Sequence, residues 1–244
     1  MQNFKVTLQY DGTDYHGWQI QHNARTIQGE LTEALSLLDH RLVTVYGAGR
    51  TDAGVHAEGQ VANFFLNRAI DTRELRDAIN GNLDRDVRVV DAGQVPESFN
   101  ARHSAVLKTY RYRICNADVV SPFTYRYVHH YRAVLDIDEM KLAAGALKGT
   151  HDFRAFTVAD TEAESPVRTL SRLEVERIGD EILIHAAAKG FLRYMVRTIV
   201  GTLIDVGACK QTAAGVDEIL RSRERRNAGP TAPAGGLTLV SVDY

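Results

Sequence analysis

Residues 47–57 read GAGRTDAGVHA, and two strand-like runs enclose them: LVTVY from Leu42 and QVANFFL from Gln60. A loop carried by two such runs is a long hairpin, so a sheet is the frame around it. Gly47, Gly49 and Gly54 let the backbone reach positive φ and let another segment approach closely. Loops held by rigid strands are also where reactive side chains sit. Two readings of the Arg50-Thr51-Asp52 triplet stand side by side. In one, Asp52 is a reactive carboxylate kept ionised by the neighbouring Arg50 cation. In the other, the two are a solvated pair on a hairpin. The loop alone names no reaction.

Strand and helix patterns alternate around it. FKVTLQY (4–10) alternates Val6, Leu8 and Tyr10 with polar partners, as a half-buried strand does. Asp11-Gly12 signals a turn, and Trp18, beside Gly17, reads as a core filler. Thr26 caps a helix on which Ile27, Leu31, Ala34, Leu35 and Leu38 recur at helical spacing. Asp71, with Glu74 three residues on, opens a second helix carrying Leu75, Ala78, Ile79 and Leu83, and the strand VRVVDA follows. This alternation predicts an α+β layer, one sheet with helices packed on one face.

Composition shifts after Pro96. Residues 98–135 hold six bases (Arg102, Lys108, Arg111, Arg113, Arg126, Arg132) against one acid, Asp118, and five tyrosines (Tyr110, Tyr112, Tyr125, Tyr127, Tyr131). Bases interleaved with aromatics suit single-stranded RNA, charge for phosphates and flat faces for bases; a solvated sheet edge is the plainer account. In KTYRYRI the strand period sends Tyr110, Tyr112 and Ile114 to one face and Arg111 and Arg113 to the other. A third helix is expected from about Asp138 through Leu147, then HDFRAF and a loop rich in acidic residues to Ser165. SRLEVERI and EILIHAAA flank Gly179-Asp180 as a hairpin. In KGFLRYMVRTIVGTLIDVG, Phe191, Met195, Ile199 and Leu203 form one helical stripe. Arg193 and Arg197, at i and i+4, share a face, either as snorkelling side chains or as a buried partner for a carboxylate such as Asp52. RSRERR (221–226) is a solvated helix end or a phosphate contact; GPTAPAGGL is a loop and LTLVSVDY a closing strand. The second half repeats the element order of the first, which predicts two similar α+β units.

The 244 residues are enough for one large domain or two small ones. The net charge of −2 requires that any nucleic-acid binding come from local clusters of bases. Cys115 and Cys209 make neither a disulfide framework nor a zinc pattern. The sequence shows no signal peptide and no run able to span a bilayer, so a cytoplasmic address is expected.

Several stretches together resemble one family, the TruA-type tRNA pseudouridine synthases: QYDGTDYHGWQ (9–19), GAGRTDAGVHA, FNARHSA with KTYRYRI (99–114), HDFRAF, FLRYMVRTIVG (191–201) and GPTAPAGGLTLVSVDY. The resemblance covers nearly the whole chain. It implies two related α+β, ferredoxin-like halves with a pseudo-twofold relation, 1–104 carrying the Asp loop and 105–244 carrying the active-site tyrosine and a basic tRNA surface. Antiparallel sheets would join along a central cleft, with helices on the outer face. It implies isomerisation of uridine to pseudouridine in the anticodon arm of tRNA, by a homodimer, with no cofactor, no metal and no membrane. Asp52 matches the essential aspartate, which attacks C1′, adds to C6 or deprotonates C2′; the sequence leaves all three routes open. Arg50 matches the residue that helps extrude the target base, and Tyr110 the tyrosine stacked on the flipped uracil. Arg197 resembles the basic partner of the aspartate, and Leu237 and Leu239 the apolar floor under the base. Lys108, Arg111 and Arg113 are the nearest candidates for RNA phosphates. Two departures concern local packing or RNA contact: Arg193-Tyr194 stands where the family commonly has Tyr-His, and His103 where a small or apolar residue is usual.

Rival readings meet specific obstacles. A non-catalytic RNA-binding module explains the basic-aromatic span but not the triplet in the glycine loop. A phosphate-cradling loop needs Lys-Ser/Thr after its last glycine, where this chain has Val55 and His56. A hydrolase pairing Asp52 with His56 needs the two to face each other.

Overall fold

The computed structural model describes residues 1–158 and 165–244, and the acidic loop expected before Ser165 lies largely outside them. The fold is α+β and mostly antiparallel, with ten strands and five α-helices among the described residues. It divides into two compact units, Met1–Val106 with Thr238–Tyr244, and Leu107–Leu237.

The first unit runs β1 (Gln2–Tyr10), α1 (Ile27–Asp39), β2 (Tyr46–Gly47), β3 (His56–Leu66), α2 (Thr72–Asn82) and β4 (Val87–Val95). β1 lies between β4 and β3, antiparallel to both. The other edge of β3 takes β2 along Ala62 and Asn63, and the last strand, β10 (Leu237–Asp243), parallel to it along His56 and Ala57. Phe4, Val6 and Leu8 of β1, Ile27, Leu31 and Leu35 of α1, and Leu75 and Ile79 of α2 make the core. The caps are those the sequence predicts: Thr26 accepts from Gly29, and Asp71 from Arg73 and Glu74. The run LVTVY departs from expectation, being a strand only at Tyr46–Gly47. Val43 and Val45 do point inward, but side chains of α1 take the backbone groups a neighbouring strand would have used. Val43 N–H donates to Ser36 Oγ and Gln28 donates to the Val45 carbonyl.

The second unit holds β5 (Leu107–Cys115), β6 (His129–His130), α3 (Ile137–Leu147), β7 (Gly149–Asp152), β8 (Val167–Ile178), β9 (Glu181–Ala188), α4 (Met195–Gly207) and α5 (Gly215–Ser222). Its sheet runs β5-β9-β8-β7, all antiparallel, with β6 parallel to the end of β5. Gly179, at φ +59°, turns the expected hairpin. α4 is buried nearly all round, which is why its pattern reads as more than one stripe. It starts at Met195, so Phe191 and Arg193 precede the helix and do not continue its faces. Gly201 is required by close approach: a Cβ there would stand 1.7 Å from the Pro230 carbonyl oxygen. Gly229 N–H donates to Thr202 Oγ1, and the loop 229–236 thus lies along α4.

Candidate active site

The loop between β2 and β3 rests on the turn that follows β1. Trp18 N–H donates to the Thr51 carbonyl at 3.0 Å, Gly54 N–H to the Tyr15 carbonyl at 3.3 Å, and Gly12 N–H to His56 Nδ1 at 3.0 Å. Two glycines make this contact possible. Gly17 has φ +89°, and a Cβ on it would lie 2.6 Å from the Thr51 oxygen; one on Gly12 would lie 2.0 Å from the Val55 oxygen. QYDGTDYHGWQ is therefore the bed on which GAGRTDAGVHA is laid. Trp18 is buried against Gly47, as a core filler. Within the loop, Val55 N–H closes a turn onto the Asp52 carbonyl, leaving Asp52 half-buried and Arg50 exposed. His56 is buried with Nδ1 3.2 Å from Asp11 and accepting from Gly12, so it anchors the turn.

A second network ties the same turn to α1 and to the segment just before β4. The Arg25 guanidinium bonds Glu30, Asp84 and Asp86 and stacks 4.3 Å over the Tyr15 ring. Those three carboxylates would otherwise read as a cation site, but Arg25 already supplies the positive charge. Burial alone would lower the Arg25 pKa; its bonds to Glu30 and Asp86 outweigh that and leave it raised. The sequence gives little notice of this knot, because its members lie far apart along the chain.

In the second unit, β5 alternates as its sequence predicts. Tyr110, Tyr112 and Ile114 are buried, and Lys108, Arg111 and Arg113 are half-exposed. Tyr110 meets the Phe191 ring edge-on at 5.2 Å. Arg113 grips Glu181 with two hydrogen bonds, 2.7 and 2.9 Å, and these hold the Glu181 carboxyl below the usual carboxylate range. Arg197 donates through Nε to the Ala232 carbonyl at 2.8 Å, and Ala232 N–H returns a bond to the Arg197 carbonyl. Arg193 and Arg197 both stand over the Tyr194 ring, at 5.1 and 5.3 Å, and Tyr194 itself takes a left-handed conformation, φ +61°, at the head of α4. Tyr112 donates to the Pro233 carbonyl, and burial pushes its pKa up. Leu237 and Leu239 are both buried, and Leu239 is paired with Ala57 in the first unit. Of the basic run 221–226, Arg225 is bonded to the carbonyls of Ala228 and Gly229 and to Thr231, and Arg223 pairs with Asp152. No helix among the described residues is long and apolar enough to cross a membrane.

Known proteins resemble this chain along its length. The family described as tRNA pseudouridine synthase matches it over residues 7–104 and 143–244. A protein of Methylobacterium nodulans named tRNA pseudouridine synthase A is 47% identical over 245 residues, covering all of this chain and 96% of that one. Proteins of the same name from Brevibacillus brevis and Thermoanaerobacter sp. are 44% and 45% identical, with both chains covered in full.

Proposed function

This chain belongs to the tRNA pseudouridine synthase family, and from that premise we propose that it isomerises uridine to pseudouridine in the anticodon arm of tRNA, with Asp52 as the reactive group. The N1–C1′ bond breaks, a C5–C1′ bond forms, C5 gives up a proton and N1 takes one, so substrate and product have the same composition. Each route open to Asp52, attack on C1′, addition to C6 or removal of the C2′ proton, begins from its ionised carboxylate. The observation that carries the reading is the half-buried Asp52 on a loop fixed at Thr51, Gly54 and His56 by one rigid turn. A carboxylate so placed loses little conformational freedom when a nucleotide arrives.

The target base has to leave its stack, at a cost of a few kcal/mol. Arg50, exposed two residues before Asp52, is assigned to helping push that base out. Tyr110 stacks on the extruded uracil and is the candidate to take the C5 proton. Leu237 and Leu239 give the base an apolar floor, and Arg197 contributes positive charge. Lys108 and Arg111 supply phosphate contacts, while Arg113 contributes less because Glu181 already holds it. Phe123, 89% exposed, and Tyr125, with Arg126 over its ring at 6.0 Å, extend the same basic-aromatic surface. Two copies holding one tRNA in the cytoplasm complete the proposal, supported by the family likeness.

The test is tritium release from tRNA labelled at uridine C5. Asp52→Asn is expected to abolish release, a loss of at least about a thousandfold, while tRNA affinity stays within a few-fold of the parent. Undiminished release from a folded variant would reject the assignment. Mapping pseudouridine by position in the product identifies the uridines used.

A further inference from the structure

Two buried polar side chains from the sheet hold the reactive loop from beneath: Tyr10 of β1, 5% exposed, and Gln60 of β3, fully buried. Gln60 Nε2 donates to the Gly49 carbonyl at 2.9 Å, and its Oε1 accepts from Val61 N–H at 3.1 Å. A carbonyl only accepts and a backbone N–H only donates, so these two partners fix which end of the amide is which. The second Nε2 proton then faces the Tyr10 hydroxyl at 3.4 Å. On its other side the Tyr10 hydroxyl shares a hydrogen bond with Thr51 Oγ1, 2.9 Å away, in which either oxygen can donate. The bonds therefore link Gln60, Tyr10 and Thr51 in a chain, with a branch from Gln60 to Gly49, and such chains strengthen their members. They grip the loop at 49 and 51, on both sides of Arg50 and directly before Asp52. Burial pushes the Tyr10 pKa up to about 12, with its bonds to Thr51 and Gln60 pulling it back, so the hydroxyl stays neutral. Phenylalanine would fill the same space and lose only this link.

We propose that Tyr10 and Gln60 are positioning residues for the isomerisation, setting the backbone of residues 49–52 so that the Asp52 carboxylate is presented in its reacting geometry. The proposal rests on the reading of Asp52 as the reactive group. The experiment measures single-turnover pseudouridine formation on an unmodified tRNA transcript, tRNA Kd by filter binding, and melting temperature, on the full chain. Tyr10→Phe and Thr51→Val are each expected to slow turnover roughly tenfold or more, with Kd within about twofold of the parent. Thr51→Ser keeps the hydroxyl and restores the rate. The double variant Tyr10→Phe/Thr51→Val is expected to be no slower than its slower single, because both changes cut one link. Parental turnover by Tyr10→Phe overturns the proposal, as does a double variant in which the losses multiply, or a rate that falls only in step with the folded fraction. A parent chain that folds and binds tRNA yet forms no pseudouridine would instead sink the reading of Asp52, a result distinct from any of these.

Discussion

Gly17 carries no side chain because the Thr51 oxygen and the Asp52 carbonyl carbon occupy the space where one would stand, at 2.6 and 3.1 Å. Gly17→Ala would combine that overlap with a left-handed φ of +89°, so a loss of roughly 2 kcal/mol is expected by urea denaturation. Turnover should fall further than the folded fraction explains, since the displaced atoms adjoin Asp52. Gly81 sits on α2 with nothing within 4 Å of the place a methyl group would take, and is the control: alanine there should stabilise by up to about 1 kcal/mol. At this scale the local sequence marks Arg50 and Asp52 as candidates for chemistry, and the family resemblance adds Tyr110. It does not show that Tyr10 and Gln60 hold the loop. A tyrosine on a strand reads as core, and a glutamine among apolar residues gives a signal of burial without naming its partner.

Elements are legible where their determinants are local. Thr26 and Asp71 cap the helices they are expected to cap, and α3 opens at Ile137 with Asp136 as its cap, one residue ahead of the expected start. LVTVY and the start of α4 are less legible, for opposite reasons. The first has the strand alternation but finds side chains of α1 where a partner strand would be. The second has apolar residues on so many faces that periodicity cannot mark where the helix begins. α4 also explains why residue 201 has to be small, since the Pro230 carbonyl rests against it. Gly201→Ala gains helix propensity of about 1 kcal/mol but forces the loop 229–236 away. A net loss of roughly 2 kcal/mol is expected on thermal or urea unfolding, together with weaker turnover, since that loop bonds Arg197 through Ala232. Gly145→Ala in α3, which meets nothing within 4 Å, should not destabilise.

For the molecule as a whole, a net charge of −2 means that RNA is met by a surface patch rather than by the chain's overall field. The logarithm of tRNA affinity is expected to fall steeply and linearly with the logarithm of salt, and Arg111→Gln to reduce that slope by about one unit; a flat response would reject the patch. Repeated element order gives the expectation of two units, 1–104 and 105–244, and carries no notice of where the closing strand goes. No local pattern tells LTLVSVDY which neighbour it will choose, and it runs parallel to β3 beside His56, within the unit that begins at Met1. The unit that carries Asp52 thus joins residues 1–106 to residues 238–244. Its sheet cannot be completed beside the reactive loop until residues 238–244 have been made, long after the rest of that unit has left the ribosome's active centre.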